Sequence, residues 1–156
     1  MKKMIFVLVF VSSMLGAANA QVQGKSIGVR FGNGAEVSFN TSLGSANRLE
    51  LDLGLNNWIT NNGNSGFGLT GIYLWVWPLD DLAPGFNWYA GVGGTVGGHI
   101  SSTTNGSLGL GVAGQVGLEF DFNIPLQLSV DFRPALFIVN SHDSYNDAGF
   151  SVRYRF

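Results

Sequence analysis

Hydrophobic and polar residues alternate one by one along most of the chain, which is the pattern of β-strands with two unlike faces. The clearest stretch is 47–55, where Leu51 and Leu53 alternate with Glu50 and Asp52. Turn-forming residues separate such stretches from one another. The pattern predicts eight strands, at 25–31, 35–40, 47–55, 67–77, 86–97, 108–122, 124–139 and 148–156.

Two places depart from clean alternation. Stretch 67–77 carries apolar residues on both faces, so the pattern leaves open which face points which way. Pro134 interrupts the seventh stretch. Because proline has no N–H to donate to a neighbouring strand, we expect a β-bulge at Pro134.

The N-terminal segment has the pattern of a secretory signal peptide. Lys2 and Lys3 precede an apolar run at 4–15, and Ala18-Asn19-Ala20 supplies the small residues of a cleavage site. We therefore predict a cleaved signal peptide at 1–20 and one domain at 21–156.

Composition decides between a soluble and a membrane-embedded domain. Charged residues are 12% of the chain, against about 25% in a typical soluble protein, and the mean hydropathy is +0.22. No stretch after the signal peptide is long and apolar enough to span a membrane as a helix. Only helices and closed barrels satisfy their backbone hydrogen bonds within lipid. The predicted fold is all-β: an eight-stranded antiparallel up-and-down transmembrane β-barrel.

The lengths of the connections predict how this barrel is oriented. Of the odd-numbered connections, 32–34 is short, whereas 56–66, 98–107 and 140–147 are long and built from Asn, Ser, Thr and Gly. The even-numbered connections, 41–46, 78–85 and 123, hold two of the four prolines. Outer-membrane barrels have short periplasmic turns and longer external loops, so both termini are expected in the periplasm. Aromatic residues sort into two expected girdles, a periplasmic one (Trp75, Trp77, Phe86, Trp88, Phe120, Phe122, Tyr154 and Phe156) and an external one (Phe31, Phe67, Phe137 and Phe150).

Charged residues within the strands fall on one alternating face. A Lys or Arg that faces lipid near the midplane costs about 2–4 kcal/mol, so this face is expected to line the lumen. An eight-stranded barrel is just filled by its inward side chains, and buried charges must be paired. We predict an internal network that plugs the lumen, made of Arg30, Arg133, Arg153 and Arg155 with Glu36, Glu50, Asp52, Glu119 and Asp131. Two alternatives are a polar conduit or small-ligand pocket in this lumen, and an inverted, soluble, lipocalin-like barrel with its apolar face inward.

The last strand carries a recognisable motif. Phe150, Val152, Tyr154 and Phe156 share one face, and this ending resembles the C-terminal assembly signal of bacterial outer-membrane β-barrels. Together with the eight strands and girdles, the chain resembles small outer-membrane proteins of the OmpX type and the transmembrane domain of OmpA. The resemblance implies a bacterial outer-membrane location, insertion by the barrel assembly machinery, contact with outer-membrane lipids and lipopolysaccharide, and a monomer. The modest external loops weaken an adhesin role, and no peptidoglycan-binding domain is expected after Phe156.

Some barrels of this size act on lipids at their rim, which gives a rival hypothesis. Ser101 follows His99, and His142 precedes Asp143 in the last external loop, so a Ser–His–acid arrangement is conceivable there. His99-Ile100-Ser101 resembles the His-x-Ser element of the lipid A deacylase PagL, although that family has Asn where this chain has Ser102, and Glu near the position of Ala113. His99 and His142 with Asp143 make a weak metal-ligand set.

The leading hypothesis is a structural or surface-interaction barrel that is not an enzyme and has no cofactor, metal or nucleic-acid partner. Cysteine is absent from the chain, which excludes disulfides and thiolate metal sites.

Overall fold

Eight strands form one closed antiparallel barrel in which each strand pairs with its neighbours in sequence and the first pairs with the last. The structure is a computed structural model that describes residues 24–56, 65–100, 108–139 and 144–156. The predicted fold class is confirmed. No helix within these ranges is long and apolar enough to cross a membrane. The strands are β1 Lys25–Phe31, β2 Gly34–Ser42, β3 Asn47–Asn56, β4 Ser65–Pro78, β5 Phe86–Ile100, β6 Leu108–Asp121, β7 Leu126–Val139 and β8 Ser144–Arg155.

The apolar face of the barrel wall points outward. In β3, Leu53 is 58% exposed, whereas Glu50 and Asp52 on the opposite face are 0% and 1% exposed. The same arrangement holds in β7, where Val130 and Phe132 are exposed and Asp131 is buried. A soluble barrel would show the reverse, because charged side chains are almost never buried there unless they are paired. The inverted, lipocalin-like alternative is therefore wrong.

The structure settles the facing of β4. Ile72, Leu74 and Val76 are fully buried in the lumen, so the alternate residues face outward. These large side chains fit because β5 places Gly93 opposite Ile72 and Gly91 opposite Leu74. A Cβ added at Gly91 would lie 2.8 Å from Leu74 Cδ2. These three β4 residues, together with Tyr89, Ala113 and Ala135 of β5, β6 and β7, form the buried apolar part of the lumen.

The expected bulge at Pro134 is not there. The register between β6 and β7 shifts instead between Leu110 and Gly111, opposite the end of β7. At Pro134 the register is the same before and after, but Gly114 and Gln115 have no paired residue on β7. Since proline lacks the N–H, the ladder is interrupted without an inserted residue. Pro134 remains in register with Asn146 on β8.

The girdle prediction needs one correction, at Phe137. Its ring lies inside the barrel, where a Cβ added at Gly109 would be 3.0 Å from Phe137 Cδ1. The inward residues of β7 have odd numbers up to the register shift, and Phe137 keeps that parity. Rings at the other end make close pairs, including Trp77 on Trp88 with centroids 4.4 Å apart.

Strands β1 and β8 close the barrel along a short seam. Six residue pairs join them, compared with fourteen between β4 and β5. The backbone of the last residue extends the seam, because Phe156 N donates to Lys25 O at 2.8 Å and Lys25 N donates to Phe156 O at 3.1 Å. Within β8, residues 150–155 pair with β1, and residues 144–154 pair with β7.

Candidate functional site

Arg30 lies at the centre of a charge network in the lumen. Its side chain is fully buried and ion-paired to three carboxylates: Asp131 (Nη2 to Oδ1, 2.6 Å), Glu36 (Nη1 to Oε2, 3.1 Å) and Asp147 (Nη1 to Oδ2, 2.5 Å). The guanidinium lies over Gly149, where an added Cβ would be 2.5 Å from Arg30 Cζ. A glycine on β8 therefore makes the space that an arginine from β1 occupies.

Asp147 also connects the network to the rim of the barrel. Its Oδ1 accepts a hydrogen bond of 2.8 Å from the backbone N–H of Asn33, in the turn between β1 and β2. One carboxylate on β8 thereby holds both the Arg30 side chain and the turn that follows it. The turn and the network are expected to lose order together if Asp147 is removed.

Two further arginines meet around Glu50. Arg133 binds Glu36 at 3.0 Å, Glu50 at 3.1 Å and Asp52. Arg153 donates to Glu50 Oε2 at 2.8 Å. Gln115 Nε2 donates to Glu50 Oε1 at 2.8 Å. Buried carboxylates with several charge-assisted donors are satisfied to a degree that isolated buried charges are not.

A separate pair lies apart from this network. Arg48 Nη2 is 2.6 Å from Glu119 Oε2, and both side chains are buried. The Arg48 guanidinium carbon is 4.8 Å from the centroid of the Tyr89 ring, within the range of a cation–π contact. Gly117 leaves room for that ring, since an added Cβ would be 2.5 Å from Tyr89 Cζ.

The structure distributes the predicted network residues over three places. One connected group contains seven of them: Arg30, Glu36, Glu50, Asp52, Asp131, Arg133 and Arg153. Glu119 is in the separate pair with Arg48.

Arg155 corrects the prediction, because it lies outside both groups. Its side chain is 36% exposed and 3.6 Å from Asp121, and its Nη2 donates to the carbonyl oxygen of Phe122 at 2.6 Å. Arg155 is the last residue of β8, and its side chain contacts the turn at 122–125 rather than the lumen.

Sequence reasoning omitted Arg48 and Asp147 from the network. Arg48 has the same parity as Glu50 and Asp52 in β3, and Asp147 has the same parity as Arg153 in β8. Arg48 is the second residue of predicted strand 47–55, and Asp147 lies just before predicted strand 148–156. The alternation alone would place both side chains in the lumen. For Asp147 this requires β8 to begin at Ser144 rather than at 148.

A small cavity adjoins the network. Its volume is about 60 Å³, and its lining includes Glu36, Arg133 and Asp147 together with Thr70 and Thr95. The two threonine hydroxyls are 2.9 Å apart. About 10–15 Å³ of such volume is enough to hold one water, so this space has room for a small cluster of waters. No group of three or more His, Asp or Glu side chains in the described ranges is arranged to hold a metal.

The residues of the rim-enzyme hypothesis cannot be placed. Ser101, Ser102, His142 and Asp143 lie outside the described residues, and His99 is described only as part of β5, without its side chain. The rim-enzyme hypothesis therefore rests on the sequence only.

The residues of the predicted assembly signal lie on the outer face of β8. Phe150, Tyr154 and Phe156 are 42%, 57% and 63% exposed. The rings of Tyr154 and Phe156 are stacked, with centroids 6.4 Å apart. Val152 shares their face and pairs with Val29 of β1. This surface is apolar and available to a partner or to lipid.

Comparisons with known proteins return structural likeness only. No protein-family model matches the chain, and no curated protein matches its sequence. Several solved structures share the fold, among them three small eight-stranded outer-membrane β-barrels.

The first is the N-terminal β-barrel domain of Pseudomonas aeruginosa OprF, with 15% identity, TM-score 0.70, and coverage of 86% of this chain and 100% of that one. The second is Neisserial surface protein A, with 10% identity, TM-score 0.62, and coverage of 85% and 93%. The third is the Yersinia pestis outer membrane protein Ail, with 11% identity, TM-score 0.53, and coverage of 86% and 100%.

Proposed function

We propose that the protein is an integral outer-membrane β-barrel with a structural or surface-interaction role and no catalytic activity. One observation carries the proposal: the barrel is apolar outside and buries ion-paired charges inside. Leu53 and Phe132 are 58% and 46% exposed, whereas Arg30 and Glu50 are 0% exposed. This distribution stabilises the fold when hydrocarbon surrounds the wall, and in water it would expose a continuous hydrophobic surface.

The same observation supports a plugged lumen. At the level of Glu50, arginines from β7 and β8 converge on carboxylates from β3. Arg30 adds a second cross-connection, from β1 to β7. The lumen of an eight-stranded barrel is just wide enough for its side chains, so ion pairs that cross it leave no continuous water path.

The test of the class is folding in detergent. The mature chain is expected to refold only when detergent or lipid is present and then to run as a compact band on gels without boiling, shifting on heating. A chain that folds equally well in plain buffer contradicts the proposal.

The plugged lumen is tested in planar bilayers, where the refolded protein is expected to give no stepwise current. Reproducible conductance steps contradict a plugged lumen.

The proposed orientation places both termini and the turns at 43–46, 79–85 and 122–125 in the periplasm. Since the chain has no cysteine, single-cysteine variants report sidedness without background. We expect a membrane-impermeant maleimide to label N105C on intact cells, and S45C only after the outer membrane is opened. Labelling of S45C on intact cells reverses the orientation.

A further inference from the structure

The charge network in the lumen contains more carboxylates than arginines. Ion pairs connect three arginines with five carboxylates: Arg30, Arg133 and Arg153 with Glu36, Glu50, Asp52, Asp131 and Asp147. If every carboxylate is ionised, three positive charges face five negative ones, and two negative charges are in excess. Such an excess inside the barrel is costly, because buried charges need partners.

The other cationic side chains do not balance this excess. Arg48 is paired with Glu119, and Arg155 is paired with Asp121. Lys25 is exposed at the first residue of β1. No further Lys or Arg occurs from residue 24 onward. The compensation therefore comes from bound protons, from solvent or from a cation.

Asp52 is the carboxylate of the network that is least satisfied as an anion. Its side chain is fully buried, and its Oδ1 has no hydrogen-bond partner in the described part of the chain. Its ion pair is with Arg133 Nη2, and the same nitrogen lies 3.1 Å from Glu50 Oε1. Glu50 has two further donors, Gln115 and Arg153, at 2.8 Å each. Glu50 is therefore well placed to carry a negative charge, and Asp52 is not.

The surroundings of Asp52 add like charge to this shortage of donors. Arg133 contacts three carboxylates at once, those of Glu36, Glu50 and Asp52. Carboxylates that share one site do not all ionise readily, because each charge raises the cost of the next. The groups that surround Asp52, directly or through a shared partner, are Glu50 on β3, Glu36 and Ser38 on β2, Thr70 on β4, Arg133 on β7, Arg153 on β8 and Arg30 on β1.

The rest of the excess charge lies closer to water. The Glu36 side chain is 12% exposed, and Asp147 accepts a hydrogen bond from the backbone of Asn33 at the rim. The cavity of about 60 Å³ borders Glu36 and Asp147, and also Thr70, which is in register with Asp52. Water in this space solvates the outer carboxylates and reaches the wall beside Asp52.

We propose that the lumen network holds one proton, on the carboxyl group of Asp52, and that the barrel is therefore more stable in acidic than in alkaline surroundings. The proton removes one of the two excess charges from the fully buried part of the network. An aspartate in the unfolded chain loses its proton near pH 3.9. Above that pH the folded state holds one proton more than the unfolded state, so stability falls as the pH rises, until Asp52 releases its proton.

Two amide variants of similar shape test the site. D52N imitates the neutral carboxylic acid, so we expect it to be as stable as wild type at about pH 6 and more stable than wild type at about pH 9. E36Q is the matched control, because Glu36 also binds Arg133 but bridges it to Arg30. E36Q is expected to be less stable than wild type at both pH values and to keep the wild-type dependence on pH.

The unfolding constant is measured by urea titration of the refolded proteins in detergent with a chelator present. One bound proton changes this constant by up to about tenfold per pH unit. The ratio of the wild-type constant to the D52N constant is therefore expected to grow by about tenfold to a hundredfold between the two pH values. His99, His142 and the N-terminal amine also titrate in this range, but both proteins contain them, so their effect cancels in the ratio.

Infrared spectroscopy in a detergent without carbonyl groups reports the proton itself. Wild type and E36Q are expected to show the carbonyl band of a protonated carboxylic acid at the lower pH, and D52N is expected to lack it. If D52N does not refold, the presence of this band in wild type and its loss at the higher pH test the proposal.

Four results overturn the proton site. They are a ratio of wild-type to D52N constants that does not change with pH, a loss of stability in D52N at the lower pH, the absence of the infrared band from wild type, and stabilisation of wild type but not of D52N by added Mg²⁺. The last result would show that a cation compensates the charge. If the protein is not a membrane barrel, wild type shows no heat-modifiable band in detergent, whereas failure of the proton site alone leaves that band in place.

Discussion

Arg30 is the residue whose removal we expect to be most costly. Its three carboxylate partners are almost fully buried. R30M removes the ion-pair partner of Asp131 and Asp147, while Glu36 keeps its ion pair with Arg133. Breaking a buried pair by removing one partner costs about 3–5 kcal/mol. Urea unfolding of the refolded protein in detergent is expected to show a loss of this size.

Arg155 is the matched control, since it is also an arginine on a closing strand. Its ion pair with Asp121 is long and partly exposed, and such pairs contribute about 0–1 kcal/mol. R155M is therefore expected to stay within that range. Equal losses for R30M and R155M would show that the network adds no stability beyond surface pairs.

Gly149 is expected to be intolerant of even one methyl group. A Cβ there would be 2.5 Å from Arg30 Cζ, so G149A must displace the guanidinium from its carboxylates. We expect a loss of about 1–3 kcal/mol, typical of overpacking, whereas G94A stays within about 0.5 kcal/mol.

A double-mutant cycle isolates the cause of the Gly149 effect. In the R30M background the collision with the guanidinium is gone, so G149A is expected to cost less than it does in wild type. An unchanged cost would place the effect in the backbone of β8 rather than in the space for Arg30.

At the scale of the strands, the seam between β1 and β8 is the place where we expect the barrel to open first. It has six residue pairs against fourteen between β4 and β5, and local opening follows low contact density. Hydrogen exchange of the folded protein in detergent is expected to be faster in β1 than in β4. Uniform protection around the barrel would contradict this expectation.

The strands also show what alternation can and cannot predict. The facing of β3 was predictable because Glu50 and Asp52 are costly when they face lipid. Charged residues on one face therefore assign that face to the lumen and the opposite face to lipid. β4 was not predictable, because Ile72 and Leu74 are acceptable on either side of the wall. Their facing depends on Gly93 and Gly91 of β5, and that pairing is not visible in β4 itself.

The sequence predicted that charged residues line the lumen, but it did not predict which of them pair. Parity placed Arg30, Glu50 and Arg153 on the inner face without any knowledge of the register. It could not assign partners, because contacts such as that of Arg30 with Asp131 join residues 101 positions apart. Alternation is least informative at strand ends: Arg48 lies in a buried ion pair, whereas Arg155 is partly exposed outside the lumen network.

The whole barrel has a wall of uneven height, and this predicts a preference for thin membranes. β1 has seven residues and β5 has fifteen. At about 3.3 Å per residue and a tilt of about 40°, β1 rises about 18 Å, less than the roughly 25 Å apolar band of such barrels. A short wall thins the bilayer beside it, at a cost that grows with the mismatch.

Refolding into vesicles of different acyl-chain length tests this expectation. The folded fraction, read from the heat-modifiable band, is expected to be higher with twelve-carbon chains than with sixteen-carbon chains. The same folded fraction in both lipids would show that the residues beyond β1 compensate for its length.

The burial of the arginines also determines how proteases meet this molecule. From residue 24 onward the chain has six Lys and Arg residues, and four of them, Arg30, Arg48, Arg133 and Arg153, are buried in the lumen. No Lys or Arg occurs between Arg48 and Arg133, so segments 57–64 and 101–107 contain no trypsin cleavage site. A protease that requires basic residues finds its accessible targets in this part of the chain only at Lys25 and Arg155, which lie at the same end of the barrel. The arginines that form ion pairs in the lumen are also the trypsin sites within the strands. Cleavage at these arginines therefore shows that the barrel has opened.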